Sequence, residues 1–328
     1  MIVAGAGMAG LVAAARAREL GLEPVVYEKG TRAGGSMLLS SGVIWRHRCF
    51  EDFRAECPDG EPHLQYLIWE RLDDAIAWLE SKGAAVVWGE TRNDRTTGKR
   101  FDPYGILDVL AGDVRLGTPV PPDTQGPLVL ATGGYPVRLA RERGLLVRSN
   151  PWSDGDGIEL GLARGAEPLQ SDEFYGRAMP GPVPEEQFVE AAQLYGRYAR
   201  RVNDLGEEFF PGEPSWSEND LAQAIARQPG GSAWYELDAE AVARPEIAEK
   251  LPYAQETEPL EGGGLRVRVH AAVTHTFGGL KIDLEARAAD GVWVAGVDAG
   301  GVGNGGYASG LAQALVLGLV AAESVAEI

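Results

Sequence analysis

The chain has 328 residues and a formal charge of −18, from 30 Lys and Arg against 48 Asp and Glu. Such a surface repels phosphate backbones and anionic lipid, which argues against nucleic-acid and membrane-surface binding. The length favours two domains over one core.

Ile2-Val3-Ala4 reads as a short apolar strand, Leu11 to Leu20 as an Ala-rich helix, and Val25-Val26-Tyr27 as a second strand after Pro24. Residues 36–60 lack periodicity and read as irregular. Leu64 to Ser81 carries apolar residues at helical spacing, and Val86-Val87-Trp88 is strand-like. The stretch Thr91 to Asp123 reads as loop, broken by Pro119, Pro121 and Pro122. Leu128 to Ala131 is wholly apolar, which suits a parallel strand buried on both faces. Gly157 to Arg164 is helical in pattern.

From Pro168 to Ala271 aromatics, prolines and Arg become frequent, marking a separate module; strand patterns return at Leu280 to Leu284 and Val292 to Val297. Leu311 to Ala322 is apolar but shorter than the roughly 20 residues that span a bilayer, so it reads as a buried final helix. The expected fold is α/β: a Rossmann-like domain split in sequence (1–167 and 272–328) with a smaller α+β capping domain (168–271) inserted. Cys49 and Cys57 lack metal-ligand spacing, so no metal site is expected; they suit reduced thiols in a cytoplasmic protein, and no signal peptide precedes the first strand.

Three glycine clusters carry the chemistry. Gly5-Ala6-Gly7-Met8-Ala9-Gly10 matches G-x-G-x-x-G between a strand and a helix, where the glycines permit the turn, the approach of a pyrophosphate and close helix packing. The helix N-terminus offers free N–H groups to the phosphates. Glu28-Lys29 follow the second strand, with Glu28 placed to accept both hydroxyls of an adenosine ribose; the alternative is a purely structural turn. Gly34-Gly35-Ser36 and Ser40-Ser41-Gly42 form a second glycine-serine loop, which fits a cofactor lying across the domain, or else an ordinary surface loop. In the third cluster, Gly296 to Gly310, Asp298 can reach a ribityl chain, and Gly310-Leu311 open a helix whose dipole suits the negative charge of a reduced flavin.

These stretches, "VAGAGMAG", "VYEKGTRAGGSMLLSSGVIW", "LVLATGGY", "SDGDGIELGLARGA", "HTFGGLKID" and "VWVAGVDAGG" followed by "GYASGLAQALVLG", resemble in order the FAD motifs of the fumarate reductase and succinate dehydrogenase flavoprotein superfamily. Its soluble members include 3-ketosteroid Δ1-dehydrogenases and tricarballylate dehydrogenase. The resemblance implies FAD as cofactor, with Ala131, Thr132 and Gly133 lining the adenosine side and Asp156 supporting the domain. It sets Val120 loosely at an adenine-contacting strand position. Relatives are commonly longer, so the segment before Leu128 and the inserted module are expected to be trimmed. Ser36 falls where membrane-bound members carry a flavin-linking His, which implies non-covalent FAD.

The resemblance also implies hydride transfer between flavin and a CH–CH bond beside a carbonyl or carboxyl of a small-molecule substrate, with a protein acid or base handling the second proton. His275 lies at a carboxylate-clamp position. The clamp is otherwise incomplete: "EFYGRAMP" replaces the family's "QFHP", and Tyr307 stands where a clamp Arg is expected. A ketone or ring-bearing substrate therefore fits better than a dicarboxylate. The expected catalytic set is Tyr175, Arg177, His275 and Tyr307, with Arg244 a looser candidate donor. Their structural alternatives are turn capping for His275, packing for the tyrosines, and an ion pair with Asp172 or Glu173 for Arg177. The run Tyr195 to Arg201 reads as a helical, solvated face. The electron acceptor or donor is unidentified, and no nicotinamide fingerprint separate from the FAD one is present. An oxygen-using oxidase or hydroxylase, and a non-catalytic FAD-containing binding protein, are the alternative functions.

Overall fold

The computed structural model describes all residues, 1–328. Contact density divides the chain into two compact units, one of Met1–Tyr135, Asn150–Glu173 and His275–Ile328, the other of Pro136–Ser149 and Phe174–Thr274.

The first unit is built on a six-stranded sheet in the order Arg287–Ala289, Val292–Val294, Leu128–Leu130, Ile2–Ala4, Val25–Tyr27, Val114–Arg115. All neighbours are parallel except the edge pair Arg287–Ala289 and Val292–Val294. Val3, Leu128, Val129, Leu130 and Val294 are fully buried, as expected of parallel strands covered on both faces. The chain leaves Ile2–Ala4 for one neighbour and returns beside the other, so the order reverses between Ile2–Ala4 and Leu128–Leu130. In open α/β sheets the crevice beyond the carboxyl ends of such a strand pair is where ligands bind.

Two helices cross one another on this sheet. Met8–Glu19 starts at the turn after the first strand, and Gly310–Ala326 packs against it so closely that a Cβ on Gly318 would lie 2.8 Å from the Ala9 carbonyl oxygen. Small residues allow this approach, and dispersion over the contact holds it. No helix is long and apolar enough to cross a membrane.

Two segments read as irregular or loop are ordered. Residues 36–60 contain the strand Val43–His47 and the helix Phe50–Glu56. The stretch after Thr91 contains the strand Thr96–Phe101, the helix Pro103–Leu110 and the edge strand Val114–Arg115. Val43–His47, Thr96–Phe101 and Val86–Trp88 form a separate antiparallel sheet. The polar run TTGKRF shows no alternation, and pairing with Val43–His47 on one side and Val86–Trp88 on the other makes it a strand. The first helix also begins earlier than Leu11, at Met8, because the glycine turn itself caps it.

In the second unit the strand order is Phe174–Met179, Leu265–Thr276, Ser232–Leu237, Arg200–Val202, with Thr257–Pro259 and Leu146–Val147 also pairing along Leu265–Thr276. The division between units falls inside that long strand, after Thr274. Pro136–Ser149 joins this unit, outside the span that composition marked. Tyr195 to Arg201 is not a helix: it holds the 3-10 turn Gly196–Tyr198 and then the strand Arg200–Val202, paired with Trp234–Glu236. Strand alternation turns Arg201 inward, with 7% exposed, while Arg200 meets Glu236 outside at 2.7 Å.

Glu19, at the end of the first helix, receives the Trp78 indole N–H at 2.8 Å, the Arg16 guanidinium at 3.0 Å and the Lys82 ammonium. Burial pushes its carboxyl up, but the Lys82, Trp78 and Arg16 donors together outweigh that and hold it at about 2. A carboxylate lowered below its unfolded value of about 4.3 stabilises the fold above that pH, and the contribution is lost as pH falls toward the folded value. Lys82→Ala is expected to cost about 0.5–1 kcal/mol near neutrality, since the pair is partly open to solvent. It should also make the fall of Tm between about pH 5 and 2 shallower. Thermal melts across that range check this, and an unchanged slope refutes it.

Candidate functional site

At the reversal point the backbone turns from Ile2–Ala4 into the first helix under tight constraint. Gly5 has φ 101°, and a Cβ there would lie 2.3 Å from the Ala131 carbonyl oxygen; one on Gly10 would lie 1.9 Å from the Gly5 oxygen. Any side chain at either position would push apart the strand ends or lift the helix. Gly7 differs. A Cβ on it would meet nothing within 4 Å, and it caps the helix with no side-chain hydrogen bond. The N–H groups of the first turn thus have no side-chain cap, and a ligand can approach the backbone at Gly7, as an anion-binding helix start requires. Met8 and Ala9 are buried beneath this turn, and Gly296 abuts Ala9.

Glu28 is 9% exposed, and its two carboxylate oxygens accept the Ala6 N–H at 2.8 Å and the Gly30 N–H at 2.6 Å. A carboxylate has about four acceptor sites, so two remain for hydroxyls at the edge of the turn. The neighbouring Lys29 pairs with Asp156 at 2.5 Å. The second glycine loop lies against the first: Gly34 N–H donates to the Ala6 carbonyl at 2.7 Å, Gly7 and Gly34 bridge in parallel, and a Cβ on Gly35 would be 3.1 Å from Gly7 Cα.

Ser36 Oγ accepts from the Asn150 backbone N–H at 3.1 Å and side-chain amide at 3.0 Å. Asn150 donates on to Ser153, whose hydroxyl reaches the Thr132 carbonyl at 3.1 Å. This chain of polar contacts ties the glycine-serine loop to the end of Leu128–Leu130. Sequence reasoning missed Asn150 and Ser153; the Asn-Pro-Trp-Ser turn is the signal that marks them. Trp152, also missed, packs where a Gly30 Cβ would lie 2.6 Å from its ring.

Other expected positions have more local roles. Ser40 donates to the Met37 carbonyl at 2.7 Å and accepts the Gly42 N–H at 3.2 Å. Gly42, at φ 73°, is needed because a Cβ would lie 2.0 Å from the Phe101 oxygen. Ser41 is exposed, with its carbonyl accepting from Arg100. Val120 is half-buried against the core, and Gly117 and Thr118, just before it, bond the backbone of Gly30 and Glu28.

Asp298 is fully buried. Its carboxylate accepts from the backbone N–H groups of Thr132 and Gly134 and from the Thr132 hydroxyl. Burial pushes its carboxyl pKa up, against the pull of those donors. The side chain thus clasps the loop that also contains Gly133, and a ribityl contact would share the same oxygens.

His275 and Tyr307 come to one end of one helix. The His275 ring lies against Gly310, where a Cβ would be 3.1 Å from Cε1, and Ser309 caps the helix by accepting the Ala312 N–H at 3.2 Å. Leu311 anchors the first turn on the core. The half-buried Tyr307 ring is 5.1 Å from that of Trp45. Its backbone carbonyl accepts from the His47 imidazole and its N–H donates to the Cys57 sulfur; burial lowers the pKa of the first and raises that of the second. Both cysteines are free thiols.

Tyr175 and Arg177 belong to the second unit. They lie on one face of Phe174–Met179, with Arg177 Nε donating to the Tyr175 hydroxyl at 2.9 Å. Arg244 lies over the Tyr198 ring at 4.5 Å and meets Glu240 at 3.1 Å.

A sheet reversal carrying an open glycine turn, a buried carboxylate beside it and a second glycine loop against it defines a dinucleotide-binding α/β protein. The chain belongs to the FAD binding domain family, whose model matches residues 1–105 and 123–310. The unmatched interval contains Val120. A comparison with curated protein sequences finds no match.

Solved structures of similar fold include the open conformation of a flavocytochrome c3 fumarate reductase, 20% identical with a TM-score of 0.75, over 99% of this chain and 78% of that one. A 3-ketosteroid Δ1-dehydrogenase from Sterolibacterium denitrificans is 14% identical with a TM-score of 0.75, over 99% of both chains. A 3-ketosteroid Δ4-(5α)-dehydrogenase from Rhodococcus jostii RHA1 is 15% identical with a TM-score of 0.72, over 99% of this chain and 96% of that one. At these identities the likeness concerns the fold.

Proposed function

We propose that the chain is an FAD-dependent dehydrogenase or reductase that acts on a CH–CH bond next to the carbonyl of a small-molecule substrate. The first unit serves as the split, Rossmann-like FAD-binding domain and the second as its capping, substrate-selecting domain. The observation that carries this reading is the meeting, at one sheet reversal, of Gly7 facing open space and Glu28 with acceptor capacity left. The same unit brings His275 and Tyr307 to the start of its last helix.

The residues present fit FAD. The first-turn N–H groups behind Gly7 would hold the pyrophosphate, and Glu28 the adenosine ribose. Ala131 to Gly133 would line the adenosine side, and the N-terminus at Gly310 would face the flavin ring. When bound, FAD supplies an acceptor or donor of hydride at its ring. The chain's own residues do the rest. The helix start stabilises negative charge beside it, His275 orients and polarises the substrate carbonyl, and the Tyr307 hydroxyl holds or takes the second proton. Tyr175 and Arg177, already hydrogen-bonded to one another, present a paired hydroxyl and cation for substrate binding.

Anaerobic mixing with a panel of enones, saturated ketones and carboxylates tests the reading. Bleaching by a saturated ketone, or reoxidation of reduced protein by an enone, is expected. Failure of every ketone and enone overturns it, and peroxide formation in steady turnover reassigns the protein as an oxidase. A further prediction follows from Ser36, whose hydroxyl is held by Asn150 and cannot form a histidyl link to flavin. Acid precipitation is expected to release intact FAD into the supernatant; yellow colour in the washed pellet refutes non-covalent binding.

A further inference from the structure

The second unit contains a cavity of about 440 Å³, within the size range of small-molecule sites. Three rings line it, those of Tyr195, Tyr198 and Trp216, together with three charged groups, Arg177, Arg197 and Glu246. All of them lie within residues 174–274, so the cavity is a property of this unit alone.

Arg197 is held from behind. Its Nε donates to Glu218 at 2.8 Å and its Nη2 to the Trp216 carbonyl at 3.1 Å. Glu218 is only 3% exposed and also accepts the backbone N–H groups of Gly196 and Arg197. A buried carboxylate with several donors fixes the guanidinium in one orientation, and Nη1 remains for an anion. The guanidinium also lies 5.6 Å from the centre of the Tyr195 ring.

Glu246 carries the opposite charge. Its own backbone N–H holds its carboxyl low against the effect of burial, the Tyr198 hydroxyl adds to this, and Arg244 approaches to 3.8 Å. An ionised carboxylate in the lining disfavours a polyphosphate or dicarboxylate and offers an acceptor to a hydroxyl. Aromatic walls favour a flat ring over an inorganic anion.

We propose that this cavity binds a planar ring bearing one carboxylate and one hydroxyl. The carboxylate sits on Arg197 Nη1, the ring lies against Tyr195 and Trp216, and the hydroxyl donates to Glu246. The assignment does not rest on the flavin chemistry above, and binding alone tests it.

The experiment is calorimetric titration of the full-length, FAD-loaded protein with 4-hydroxybenzoate, its methyl ester, benzoate and inorganic phosphate. Binding of one 4-hydroxybenzoate per chain is expected. The ester should bind at least about tenfold more weakly, because it forfeits a charge-assisted hydrogen bond. Benzoate should also be weaker by about tenfold or more, having lost a hydrogen bond to an ionised carboxylate. Trp216→Leu and Tyr195→Leu should each weaken binding about tenfold or more while leaving Tm near that of the parent, as for aromatic anchors in a pocket. Absence of 4-hydroxybenzoate binding overturns the proposal, as does an ester that binds as tightly, or phosphate that displaces the ring compound. So does binding that perturbs the flavin spectrum and survives Trp216→Leu, since that ligand occupies another site.

Discussion

Replacing Tyr307 with Phe is expected to slow substrate-driven flavin bleaching by about 10²–10⁴-fold, the range for loss of a general acid or base. A tyrosine hydroxyl has a reference pKa of about 10, so it needs nearby positive charge or a polarised carbonyl to exchange a proton near neutrality. The start of Gly310–Ala326 supplies positive potential, which favours an ionised group within its first turn. The His275 ring packs on that same turn, at Gly310. The phenyl ring can keep its place 5.1 Å from Trp45, and the backbone contacts to His47 and Cys57 do not involve the hydroxyl. FAD retention and Tm should therefore stay close to those of the parent, which separates a proton-transfer role from a packing one. Bleaching at the parental rate by the substrate identified in the panel experiment would remove Tyr307 from the mechanism.

Glu28→Ala is expected to have the largest effect on cofactor retention. Each hydroxyl bound by the carboxylate is a charge-assisted hydrogen bond worth about 1.5–3 kcal/mol, so loss of two corresponds to a fall in affinity of at least about a hundredfold. The structure adds a second cost. The Ala6 and Gly30 N–H groups both donate to this carboxylate, and its removal leaves two donors to find other partners beneath the glycine turn. Each such orphaned donor costs about 1–3 kcal/mol where water cannot reach it. Glu28→Gln should fall between, since its amide oxygen can serve only one side. The flavin-to-protein ratio after gel filtration, with Tm measured alongside, reads both effects. Parental flavin content in Glu28→Ala would place the ribose elsewhere.

The features legible in the sequence share a physical origin. Strands buried on both faces must be apolar throughout, so Ile2–Ala4, Val25–Tyr27 and Leu128–Leu130 stand out without any partner in view. The glycines at 5, 7 and 10 are equally legible, because backbone approach excludes every other side chain at two of them and the helix start opens at the third. Features made by distant partners were not legible. Thr96–Phe101 becomes a strand between Val43–His47 and Val86–Trp88, with Gly98 against the Ile44 carbonyl. Asn150 and Ser153 matter because Ser36 and the Thr132 carbonyl reach them from other parts of the chain. The basic run at 195–201 has helical composition, yet pairing with Trp234–Glu236 and the packing of Gly196 against Tyr235 impose a turn and a strand.

The second unit is encoded in two stretches, since Asn150–Glu173 of the first unit separates Pro136–Ser149 from Phe174–Thr274. The short stretch contributes Leu146–Val147, the parallel neighbour of Ala272–Val273. A recombination event that exchanged only residues 174–274 between two members of the family would leave that strand facing a foreign edge. Deleting the same residues would leave it with no edge at all. Exchanging this unit whole thus takes the coordinated transfer of two separate stretches. During synthesis, too, Leu146–Val147 emerges from the ribosome long before its partner and waits for Ala272–Val273 to complete the pairing.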